Sequence, residues 1–180
     1  VIESSVDIQN ALAKSTASDV IYPKTELAKN LAWISKLIKG NLNSKVYYTS
    51  LGGFDTHDNQ LAIHKNKLSD LNDAVYSFYQ DLKKNQQLQN VTIVVFSEFG
   101  RRVKDNGRGT DHGTAAPMFI IGGNNRGKVI GKNPNLSDLN NGDLKHEVDF
   151  RSVYASLLQS KLNFDASKIG IKNKAITGLF

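Results

Sequence analysis

Five side chains in this 180-residue sequence have the chemistry of divalent-cation ligands, and they fall in three glycine-punctuated motifs. Asp55 and His57 lie in Gly52-Gly53-Phe54-Asp55-Thr56-His57. Glu98 lies in Ser97-Glu98-Phe99-Gly100-Arg101-Arg102, and Asp111 and His112 in Gly109-Thr110-Asp111-His112-Gly113. Carboxylates and neutral imidazoles offer lone pairs at neutral pH. The sequence has no Cys, so such a site is built of nitrogen and oxygen alone. That donor set favours a divalent metal, Zn or Mn first and Mg or Ca next, over clusters and soft metals. A metal held this way polarises a phosphoryl or sulfuryl oxygen and activates an attacking oxygen.

Arginine adds a second signal. Four of the five Arg (Arg101, Arg102, Arg108 and Arg126) fall between positions 101 and 126, beside the candidate ligands. The planar guanidinium fork matches carboxylate, phosphate or sulfate, so Arg101 and Arg102 are candidates for anion binding, with ordinary surface pairing as the alternative.

Each motif also has a plain structural reading. Asp55 can cap the helix that follows a glycine turn, Glu98 can pair with a nearby Arg at a strand end, and Asp111 can hold an Asx-turn. His64 lies on the apolar stripe of a long helical pattern and reads as a satisfied core or boundary histidine. His146 reads as solvated. Ser97 lacks the Gly-x-Ser-x-Gly surroundings of a nucleophile elbow.

The elements that would position these residues follow from periodicity. Pro23 and Thr25 open a helical pattern through Leu27, Leu31, Ile34, Leu37 and Ile38 that Gly40 ends. Residues 45–49 read as a strand. Residues 59–84 carry Leu61, His64, Leu68, Leu71, Val75, Phe78 and Leu82 at three- and four-residue steps, the stripe of an amphipathic helix. Val91 to Phe96 reads as a strand buried on both faces, and Pro117 to Ile121 as a further strand. Residues 124–142 are loop-like, and Asp149 caps a helix with Phe150, Val153, Tyr154, Leu157 and Leu158 inward.

Strand, long helix and strand make a βαβ unit, whose crossover implies parallel strands. The expected class is therefore α/β, a mostly parallel central sheet flanked by helices, with Asp55 and Glu98 at one sheet edge beyond the strand ends. Between residues 96 and 117 there is no helical pattern, so the third strand is free to run antiparallel and return Asp111 and His112 to that edge.

The composition, 39% hydrophobic and 22% charged, suits one globular α/β domain over residues 1–180. Residues 1–22 read either as a helix or as a loosely packed segment that normally rests on chain upstream. The opening Val1-Ile2-Glu3 lacks an initiator Met, and the expectation is the C-terminal part of a longer protein. No apolar run approaches the length of a membrane span. The net charge of +6 rests mostly on scattered Lys, and no aromatic-and-basic module marks a nucleic-acid binder.

At these motifs the sequence resembles the bacterial domain of unknown function numbered 1501. The elements carrying the resemblance are Gly-Gly-Phe-Asp-Thr-His (52–57), Ser-Glu-Phe-Gly-Arg-Arg (97–102), Gly-Thr-Asp-His-Gly (109–113) and Asp-Phe-Arg-Ser-Val-Tyr (149–154), in order, over roughly residues 20–180. The family looks like a distant branch of the alkaline phosphatase and sulfatase superfamily, which implies a partial alkaline phosphatase-like fold. By that analogy Asp55 and His57 resemble an Asp/His ligand pair, and His112 the last metal histidine, with Asp111 a ligand or its partner. Glu98-Phe99 stands where an Asp-His pair is usual, so one imidazole is replaced.

The resemblance also places the nucleophilic Ser or Thr upstream of residue 1, so this chain alone is expected to be inactive. It implies export to the periplasm or medium. The expected function is metal-dependent hydrolysis of phosphate or sulfate esters, with an anionic small molecule or glycan ester as substrate. The alternative is a non-catalytic binding or structural protein of the cell envelope that keeps the fold.

Overall fold

The computed structural model describes residues 2–123, 125 and 127–180, the side chains of Ile2 and Glu3 excepted. Arg126, one of the clustered arginines, lies outside the described residues. The chain forms two compact units, Val1–Val91 and Thr92–Phe180.

The first unit is helical, with α1 (Ile2–Lys14), α2 (Glu26–Lys39) and α3 (Gln60–Lys84). The Thr25 hydroxyl accepts the Ala28 N–H at the start of α2, Glu26 sits in its first turn, and Lys36 and Lys39 sit in its last. Leu27, Ala28 and Leu31 of α2 are buried with Ala74, Phe78 and Leu82 of α3. Each of the larger side chains contributes roughly 1.5–3 kcal/mol by leaving water.

The N-terminal half of the α3 stripe does not share in this core, since Leu61 is 87% and Leu68 53% exposed. Length explains it: 25 residues of α3 run about 37 Å against about 21 Å for the 14 residues of α2. Residues 1–22 include α1, which packs on α2 and buries Ala11.

Beneath the apolar contacts lies a buried polar knot. The Asp81 carboxylate of α3 accepts hydrogen bonds from the Ser35 hydroxyl (2.6 Å), the Tyr22 hydroxyl (2.9 Å) and the Asn85 amide (3.0 Å). Lys39 Nζ pairs with it at 3.3 Å, both side chains almost wholly buried. Burial pushes the Asp81 carboxyl up, but hydrogen bonds from Ser35, Ser18 and Tyr22 together with the Lys39 charge outweigh it and hold the group below its ordinary value.

In the second unit, β1 (Thr92–Val95) pairs antiparallel with β4 (Phe119–Gly122), Val95 opposite Phe119. Between them, β2 (Gly100–Asp105) and β3 (Thr110–Gly113) form a separate antiparallel hairpin. Its turn is closed by Asn106, whose side-chain oxygen accepts the N–H groups of Arg108 and Gly109. Helix α4 (Phe150–Leu162) starts at Asp149, whose carboxylate accepts the Arg151 N–H. Bonds to the Arg151 side chain and N–H hold that carboxyl far below the usual range.

Val153 and Ala155 of α4 are buried, whereas Phe150 is 56% exposed, contrary to its expected inward place. Buried Ser156 accepts the Ile176 N–H at 2.7 Å and fastens the tail to α4. Lys161 reinforces this by standing over the Phe180 ring.

The expected mostly parallel central sheet is therefore corrected: the described residues form two antiparallel two-stranded ladders. The error traces to residues 45–49, which form no strand and leave Val46 66% and Tyr48 75% exposed. Without that strand there is no βαβ crossover, and nothing requires parallel pairing. β1 is half-buried along its length, as befits a strand with one partner, rather than buried on both faces. The antiparallel return of the Pro117 region, permitted by the missing helical pattern, is observed in β4.

Candidate functional site

In the first unit, the Gly-Gly-Phe-Asp-Thr-His motif forms an irregular segment ahead of α3. Gly53 has φ +95°, a conformation that disfavours a side chain, and a Cβ there would come within 2.7 Å of the Lys67 stem. From Phe54 onward the chain alternates. Thr56 is buried (4% exposed), and Phe54 packs edge-on against His64 with ring centroids 5.6 Å apart. Asp55 and His57, on the alternate positions, are exposed, and His57 Nε2 lies 3.0 Å from Asp55 Oδ1.

That distance can be tested against a cation. Two ligands bound at about 2.1 Å on adjacent vertices of an octahedron or tetrahedron stand roughly 3.0–3.4 Å apart. The Asp55–His57 pair fits this edge, with one hard oxygen and one imidazole nitrogen. As a bare surface ion pair it would add at most about 1 kcal/mol to stability.

In the second unit, Glu98 is exposed just after β1. Asp111 and His112 are exposed on β3, with Arg101 directly across the ladder from His112. Phe99 lies just ahead of β2, two residues before Arg101, and Arg101 shares a face with His112 directly opposite it. The observed contacts agree: the Phe99 and His112 rings stack at 3.9 Å and 7°, and the Arg101 guanidinium lies 5.2 Å from the Phe99 ring. Arg101 also donates to the Thr110 carbonyl at 2.8 Å.

The hairpin owes its shape to an irregular register. From the Arg101–His112 pair to the Asp105–Thr110 pair, β2 advances four residues while β3 retreats two, so β2 bulges. Close packing demands the glycines at its base, since a Cβ on Gly100 would lie 1.8 Å from the Ala115 carbonyl and one on Gly113 2.6 Å from Asp143. Asp143 is buried and accepts the Thr114 N–H, and Arg102 donates to the Asn141 carbonyl, so the 140–144 loop braces the hairpin.

The structure thus brings Asp55 to His57, and Arg101 to His112, within their own units. Ser97 donates to the Phe99 carbonyl at 2.9 Å. His64 is half-buried and bonded to Thr56, in keeping with a satisfied boundary histidine, and His146 is exposed. Sequence reasoning passed over Thr56 and Phe54 as supports and Phe99 as the partner of His112. Their signal was period-two alternation with the candidate ligands.

A family model described as "Protein of unknown function (DUF1501)" matches residues 40–168, a span holding every candidate ligand. No curated protein and no solved structure matches the chain.

Proposed function

This chain belongs to the DUF1501 family of proteins of unknown function, and on that premise we propose that it serves a metal-dependent hydrolysis of phosphate or sulfate esters. The proposed ligands are Asp55, His57, Glu98, Asp111 and His112, with Arg101 and Arg102 binding the anionic group. The observation that carries the reading is the 3.0 Å Asp55–His57 pair, exposed on a turn whose intervening residue is buried. The likeness of these motifs to those of alkaline phosphatases and sulfatases supports it. A bound divalent metal supplies Lewis acidity to the ester oxygen. The protein residues hold the donors outward and present guanidinium hydrogen bonds to the anion. Export to the periplasm or medium belongs to the same reading.

Calorimetric titration with Zn2+ or Mn2+ tests the proposal. Asp55→Ala and His112→Ala are each expected to weaken binding by about tenfold or more. In the full-length protein, both should also abolish hydrolysis of aryl phosphates and sulfates. Undiminished binding and turnover in both variants rule the reading out.

One observation favours a second reading, a non-catalytic binding protein of the cell envelope. The apolar Phe99 ring covers the face of His112, where the resemblance calls for a further imidazole. Metal content of the purified protein separates the two. A stoichiometric transition metal favours the hydrolase, and no metal, or calcium alone, favours the binding protein.

A further inference from the structure

One side chain of α3, His64, bonds to the turn that carries Asp55 and His57. His64 Nε2 lies 2.9 Å from the Thr56 hydroxyl and 3.4 Å from the Phe54 carbonyl, while its ring meets the Phe54 ring edge-on at 69°. Thr56 is the buried residue between the two exposed donors, so what fixes Thr56 fixes both of them. His64 and Lys67 are spaced i, i+3 on one face of α3, and the Lys67 stem stands beside Gly53. The turn therefore runs along one face of the 25-residue helix α3. We propose that His64 is the positioning residue of the Asp55–His57 turn, holding both donors outward through Thr56 and Phe54. Its meaning for function rests on the metal-ligand reading of Asp55 and His57; its effect on the turn does not.

A histidine acting only as filler would be replaceable by any side chain of similar size. A positioning histidine needs a polar atom at the place of Nε2. Gln reaches that place, whereas Asn, one methylene shorter, reaches only the place of Nδ1. Thr56→Val removes the hydroxyl and keeps the shape.

The test is amide hydrogen exchange on the whole chain carrying His64→Gln, His64→Asn or Thr56→Val. His64→Asn and Thr56→Val are expected to speed exchange of residues 53–58 by about tenfold, with α3 protection from residue 70 onward unchanged. His64→Gln is expected to match the parent. Zn2+ affinity is expected to fall by about tenfold in the first two and return in His64→Gln. Unchanged exchange in His64→Asn, His64→Gln behaving as His64→Asn, or lost protection along all of α3 overturns the proposal. Should the parent bind no Zn2+ while the exchange pattern holds, the turn's support by His64 stands and the metal reading falls.

Discussion

Asp81 shows how one residue can commit a helix pair to one arrangement. Its charge is buried 3.3 Å from that of Lys39, so removing it strands an ammonium in the core. Asp81→Ala is expected to cost about 3–5 kcal/mol in urea unfolding. The pH dependence has a definite sign. The folded-state carboxyl is held below its ordinary 3.8, so its contribution is complete above that value and is lost as pH falls through the folded value. Asp81→Asn should therefore flatten the acid limb of the stability profile. At the other end, burial first and then the Asp81 contacts raise the Tyr22 hydroxyl far above 10, so its contribution holds below pH 10 and declines at higher pH. None of this was legible beforehand, because an Asp one step from Leu82 looks like the polar edge of a stripe. The candidate ligands were legible by type. Their supports needed the alternation of Phe54 and Thr56 with Asp55 and His57 to be given weight.

Among the elements, helices were easier to read than strands. Thr25, Gly40 and Asp149 marked helix ends where the structure has them, because caps and glycine stops act within a few residues. The strand expected over 45–49 failed because a strand depends on a partner elsewhere, which local propensity does not supply. Gly40 also does more than end α2. A Cβ there would sit 1.9 Å from the Ala11 carbonyl, so its smallness sets how closely α1 approaches. With φ at −77° the backbone itself tolerates Ala, and the penalty is contact alone. Gly40→Ala is expected to cost about 1–3 kcal/mol and to speed proteolysis within residues 2–14, with α2 and α3 protected as before.

Across the whole molecule, apolar burial is uneven. Residues Val1–Val91 hold Ala11, Leu27, Ala28, Leu31, Ala74, Phe78 and Leu82 in the core together with the Asp81 knot. Residues Thr92–Phe180 bury chiefly Val153, Ala155, Ala166 and Leu179. Produced separately, the first unit is expected to melt cooperatively in circular dichroism and the second to melt broadly. Two equally sharp transitions would contradict this. Bulk composition gave no warning of the imbalance, because averages do not record where apolar residues cluster.

The nesting of one ladder inside another bears on the order of assembly. The β2–β3 hairpin lies wholly within the segment that separates β1 from β4. Until it closes, β1 and β4 must find each other across residues 96–118. Once Gly100 meets Gly113, the slack is reduced to residues 96–99 and 114–118. By polymer scaling that shortening saves about 0.8 kcal/mol of closure entropy, roughly a fourfold gain in encounter probability. The inner ladder is thus expected to zip first, so a lesion at the Asn106 turn should delay pairing at Thr92, a site it never touches.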